Sequence, residues 1–177
     1  MKKKIVYLLL MITVLLSCGK DKSNETDKIP TKEVVEMIVE HKYNFNDTFK
    51  VFYTTDSKKP IDGSAVIEMP VEATDSFQKT TFIFPAGEYP EVIRFDCGNN
   101  KDADFIEIKS IKIICRNDVL DYSDWGKTVN WTPSESLKSE KEKPNLFKIV
   151  AVNGVKGPLF MSNIIIQEKI EKYFSNK

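Results

Sequence analysis

Two-residue alternation in three runs within residues 80–115 constrains this chain more than any other feature. Residues 81–84 (Thr-Phe-Ile-Phe) are stopped by Pro85, and residues 92–97 (Val-Ile-Arg-Phe-Asp-Cys) end at Gly98-Asn99-Asn100. Residues 105–114 form the longest run, with Ile106, Ile108 and Lys112 on one parity and Glu107, Lys109, Ile111 and Ile113 on the other. β-branched and aromatic residues at period two are the pattern of half-buried strands. The stretch predicts an antiparallel sheet with one face in a core, and it puts Phe95 and Phe105 in that core. It specifies no chemistry.

The flanking segments extend the all-β reading. Residues 31–43 fit a helix face through Val34, Val35, Ile38 and Val39, or a strand face through Val35, Met37, Val39 and His41. Four β-branched residues without Leu or Ala favour the strand. Residues 44–47 (Asn-Phe-Asn-Asp) read as a turn, residues 49–53 as the next strand, and residues 56–63 as a charged loop containing Pro60. Residues 64–69 predict a strand broken by Pro70. Residues 146–152 predict a late strand closed by the turn dipeptide Asn153-Gly154. The last residues fit either a short amphipathic C-terminal helix, through Ile166, Ile170, Tyr173 and Phe174, or a final strand over 163–170. The expectation is a single antiparallel β-sandwich spanning residues 31–177.

The amino terminus reads as an address. Lys2, Lys3 and Lys4 precede an apolar run over residues 5–16, which is shorter than the roughly 20 residues of a membrane span. Leu15-Leu16-Ser17-Cys18 then resembles a bacterial lipobox, with Leu16 bulkier than the small residue usual there. The resemblance implies a signal peptide over residues 1–17, cleavage before Cys18, and lipid (diacylglyceryl and palmitate-type acyl) attachment at Cys18. Each buried methylene contributes about 0.8 kcal/mol, so several acyl chains together give stable anchoring. Residues 18–30 follow as the lipidated cysteine and a polar tether without apolar periodicity. Asp21, Glu25 and Asp27 in that tether resemble the export signals of Bacteroidetes-type surface lipoproteins. The implied location is the outer membrane or cell envelope.

Asp47 before a strand ending Phe52-Tyr53, a proline-ended strand at Phe82-Ile83-Phe84-Pro85, and the Arg94-Phe95-Asp96 strand before a hairpin form an ordered series. Over residues 34–115 this series resembles jelly-roll β-sandwich modules related to galactose-binding domains, with Cys97 an unusual residue before Gly98. The resemblance implies a jelly-roll fold and association with carbohydrate. Arg94 and Asp96 share a strand face and are expected to form a structural ion pair, with Asp47 in reach of Arg94.

Residues 116–132 carry both tryptophans among acidic and polar groups. Tyr122 and Trp125 are the candidate sugar-stacking plates there, and Asp121 and Asp124 the candidate hydroxyl acceptors. Trp131 is expected to plug the end of the core. Enzyme chemistry finds little support: His41 is the only histidine and falls in an early strand. Zinc lacks ligands, and residues 99–104 offer alternate oxygens without the glycine and glutamate of a calcium loop. No catalytic residue, metal or cofactor is therefore expected. Cys97 and Cys115 read as two buried free thiols.

Loss of residues 1–17 would leave 23 basic against 26 acidic residues, a net charge of −3. That balance gives no basic face for nucleic acid. The sequence thus predicts a lipid-anchored, non-catalytic carbohydrate-binding or polysaccharide-associated module. The alternative is a structural or protein-interaction lipoprotein without a small ligand. The expected partners are the membrane, through the lipid, and a glycan or an envelope protein.

Overall fold

The computed structural model describes residues 33–123 and 131–163, together with Glu168 and Lys172, both helical. Eleven strands occupy the described residues: β1 (Val35–Tyr43), β2 (Asp47–Thr54), β3 (Val66–Val71), β4 (Thr74–Ile83), β5 (Val92–Asp96), β6 (Phe105–Cys115), β7 (Asp118–Asp121), β8 (Trp131–Pro133), β9 (Leu137–Ser139), β10 (Leu146–Ile149) and β11 (Leu159–Ser162). One sheet runs β4-β1-β6-β10-β9 with β7 added to β6, and the other runs β3-β2-β5-β11-β8. Every strand pair is antiparallel. The two sheets pack into an all-β sandwich. Cys18, the expected lipid-attachment residue, and most of the expected C-terminal helix lie outside the described residues.

Alternation along each strand builds the core between the sheets. β1 buries Val35, Met37, Val39, His41 and Tyr43 and turns the residues between them outward. Phe95 sits at the centre, with the rings of Phe49 at 5.5 Å, Phe82 at 5.9 Å and Phe160 at 6.3 Å. Phe82 comes from the first sheet and the other three from the second, so these contacts join the layers. Burying such rings contributes roughly 1.5–3 kcal/mol each. Phe105 is only half-buried, at the start of β6, so its expected core position is corrected.

Three other expectations change. The runs at 81–84, 92–97 and 105–114 do not make one sheet. β4 and β6 flank β1 in the first sheet, while β5 lies between β2 and β11 in the second. β5 and β6 form no hairpin, because the chain crosses from one layer to the other over residues 97–104. Pro70 does not end its strand: it lies within β3, opposite Thr48. β3 is the outermost strand of its sheet, where a missing N–H breaks no ladder. The conflicting parities in β6 are reconciled by a bulge. Glu40 pairs with Ser110 and His41 with Ile108, which leaves Lys109 as an extra residue. Ile106 and Ile108 before it, and Ile111 and Ile113 after it, thereby all face the core.

Candidate functional site

At one end of the sandwich, β2 runs out into the loop over residues 55–65, and the loop over residues 84–91 brings the chain back to β5. Local chemistry sets both loops. Asp56 accepts from the Lys58 amide at 3.0 Å, and its carbonyl accepts the Lys59 amide at 3.0 Å. Asp62 accepts from the Ser64 amide at 2.9 Å across Gly63, whose φ of 83° suits glycine. The second loop is closed by the Glu88 amide donating to the Pro85 carbonyl. Glu91 ties the two loops together, accepting from the Ser57 amide at 2.7 Å and donating its own amide to the Thr54 carbonyl at 2.8 Å.

Between the loops lies an open cleft of about 280 Å³, lined by Tyr53, Thr54, Thr55, Lys59, Pro60, Asp62, Ser64, Ala65 and Glu88. Tyr53 is 6% exposed and packs edge-on against Phe84 at 4.9 Å. Its hydroxyl donates to Glu88 Oε2 at 2.6 Å, so a buried ring holds an acceptor in place at the wall. Burial, and then the Glu88 carboxylate, push the Tyr53 phenol up to about 12, keeping it a neutral donor. Hydrogen bonds from the Ser64 hydroxyl and amide hold Asp62 below the usual carboxylate range. The cleft therefore presents fixed carboxylates, hydroxyls and two small apolar surfaces.

The residues singled out from sequence lie elsewhere. Tyr122 is 4% exposed and packs edge-on against Trp131 at 6.4 Å, so it belongs to the core and offers no stacking face. That corrects its reading as a plate. Asp121 is bound to Lys112 at 2.8 Å and accepts from Ser123. Burial raises its pKa, but these bonds outweigh burial and leave it lowered. It is thus half of an ion pair on the outer face, not a free sugar acceptor. Asp124 and Trp125 lie outside the described residues. Trp131 is buried in β8.

Arg94 and Asp96 form a bidentate pair at 2.7 and 2.6 Å, and the guanidinium also covers the Phe52 ring at 4.9 Å. The expected link from Asp47 to Arg94 is corrected. The Asp47 carboxylate instead accepts from the Tyr43 hydroxyl and the Thr48, Asn99 and Asn100 amides. It anchors the crossing after β5, where a Cβ on Gly98 would collide with it. Residues 99–104, weighed above for calcium, have a cation of the chain's own. Lys156 Nζ donates to the carbonyls of Lys101 and Ala103, both at 2.7 Å, and lies 3.7 Å from Asp104. Cys97 and Cys115 are buried and not joined in a disulfide, and burial pushes the Cys97 thiol well up, away from reactivity.

Sequence reasoning passed over the cleft because its key pair, Tyr53 and Glu88, is 35 positions apart and joined by loops. The available hint was Pro85-Ala-Gly-Glu-Tyr-Pro90, a rigid turn that displays a carboxylate.

The architecture defines the chain as an all-β, two-sheet sandwich protein. Beyond that class, it matches no protein-family model, no curated protein and no solved structure.

Proposed function

We propose that this is an envelope-anchored lipoprotein whose sandwich binds a small, sugar-like ligand in the Tyr53–Glu88 cleft without transforming it. The observation that carries the reading is the Tyr53–Glu88 hydrogen bond, which holds a carboxylate in place in a wall that Thr55 also lines. Polyhydroxylated ligands are recognised by such positioned acceptors and donors. At about 280 Å³ the cleft has room for one or two sugar rings, just below the range of about 300–1,000 Å³ typical of larger ligands. The likeness of the 34–115 series to galactose-binding jelly rolls, and of Leu15–Cys18 to a lipobox, supports the same reading. Binding rather than catalysis is favoured because His41 is sealed in the core, away from the cleft.

The test is a glycan array probed with the intact chain and its Glu88→Gln and Tyr53→Phe variants. The intact chain should retain a restricted set of glycans, Glu88→Gln should lose at least about tenfold in affinity, and Tyr53→Phe should lose less. Retention of the same glycans at equal strength by Glu88→Gln would overturn the cleft as the site. The alternative, a protein-interaction lipoprotein, has one observation in its favour. Phe77 and Ile83, 42% and 58% exposed, stand on β4 at the open edge of its sheet. It predicts an empty array and a crosslinked protein partner lost on Ile83→Lys.

A further inference from the structure

An outermost strand carries unpaired backbone groups, and a fold that avoids association blunts it by shortness or by proline. β7, β8 and β9 are three or four residues long, and β8 ends in Pro133. β3 carries Pro70. β4 has neither device: it ends its sheet with ten residues and no proline. Its first half is closed locally, where the register slips between His41 and Tyr43 and the Ser76 amide bonds the Thr74 hydroxyl at 3.1 Å. Its second half is regular. There the Phe84 amide donates to the Val35 carbonyl at 2.9 Å, so residues 78, 80 and 82 bond toward β1 by antiparallel alternation. Lys79, Thr81 and Ile83 therefore turn their N–H and C=O groups off the edge, and no described strand pairs with that side.

We infer that a second copy of this chain occupies the open edge, β4 pairing antiparallel with β4 of the other copy about a two-fold axis through Thr80. Phe77 and Ile83 are the exposed large apolar residues of β4, and each stands three positions from Thr80. In this register Phe77 of each copy faces Ile83 of the other, on the outer face that Lys79 and Thr81 share with them. Lys79 faces Thr81, and both turn their backbone groups toward the partner strand. The strand is thus its own complement, which singles out a second copy as the occupant. Other registers fit worse. Centring on Lys79 sets two ammonium groups against each other. Centring on Phe77 or Gln78 draws in the slipped segment, and centring on Thr81 leaves Phe77 opposite Pro85. One strand from each copy buries less than the roughly 1,200 Å² of a stable complex, so the dimer is weak and reversible.

Sedimentation velocity of the intact chain in excess detergent, from about 1 to 500 µM, should show monomer passing reversibly to dimer in the upper part of that range. Phe77→Glu and Ile83→Lys should each weaken the dimer about fivefold or more. The chain carrying both should regain it, because the register sets each glutamate opposite a lysine. A misfolded variant cannot produce that recovery. Thr81→Pro, which removes one outward N–H and no bond to β1, should weaken the dimer as well. Monomer across the whole range, or a dimer that neither single variant weakens, overturns the inference. Loss in both single variants without recovery in the double overturns the pairing about Thr80. A chain that stays monomeric, yet loses a crosslinked envelope protein on Ile83→Lys, assigns the edge to that protein and overturns the second copy.

Discussion

At the scale of single residues, His41 couples the core to pH. Its ring is fully buried, tilts onto Phe49 at 4.8 Å and shares a hydrogen bond with the Thr80 hydroxyl at 2.8 Å, while Nδ1 has no partner among the described residues. Burial lowers its pKa from 6.5 to about 4. Above pH 6.5 the ring is neutral in the folded and unfolded chain alike, and stability is at its full value. Between pH 6.5 and about 4 the unfolded chain binds a proton that the core refuses, so stability falls as pH falls. The loss across that window is about 3 kcal/mol. Urea midpoints measured from pH 8 to 4 should trace this decline, and His41→Gln should flatten it. An equally steep decline in the variant would assign the effect to other groups.

Among the elements, β6 shows how a single inserted residue sets the facing of a whole strand. Lys109 is the bulged position; its ammonium pairs with Glu40 at 2.7 Å and lies 5.5 Å over the Phe77 ring. Deleting Lys109 should leave Ile106, Ile108, Ile111 and Ile113 facing inward, because strict alternation then serves all four. The expected cost is modest, about 1 kcal/mol for the exposed ion pair and ring contact. Deleting Lys112 instead would turn Ile113 and Cys115 outward and should abolish cooperative melting. Circular dichroism melts of the two deletions check this, and equal damage from both would show that the bulge does not set the facing. The strands were legible because half-burial writes itself as alternation, as in Val35 to Tyr43. Their partners were not, because Phe82, Phe95 and Ile106 carry the same pattern whether they share a sheet or face each other across the core. The cleft was less legible still: nothing local marks Tyr53 as the residue that holds Glu88.

For the whole molecule, the register of β1 separates the two thiols. Cys115 pairs with Val35 at one end of that strand, while Cys97 lies beside Tyr43 at the other, about 25 Å away. A reductant should therefore leave the thermal midpoint unchanged; a drop of several degrees would reveal a bridge that the fold does not bring together. The same interleaving has a consequence in time. Val35 meets Cys115 some eighty positions along the chain, and Lys50 waits for Asp96. The pairings that join β5 to β2 and β6 to β1 therefore cannot form until residues 96 and 115 are present. Such non-local topologies close in milliseconds to seconds, not microseconds. On the lipoprotein reading the precursor must be threaded across a membrane as an open chain, and a slow-closing sandwich remains threadable for longer.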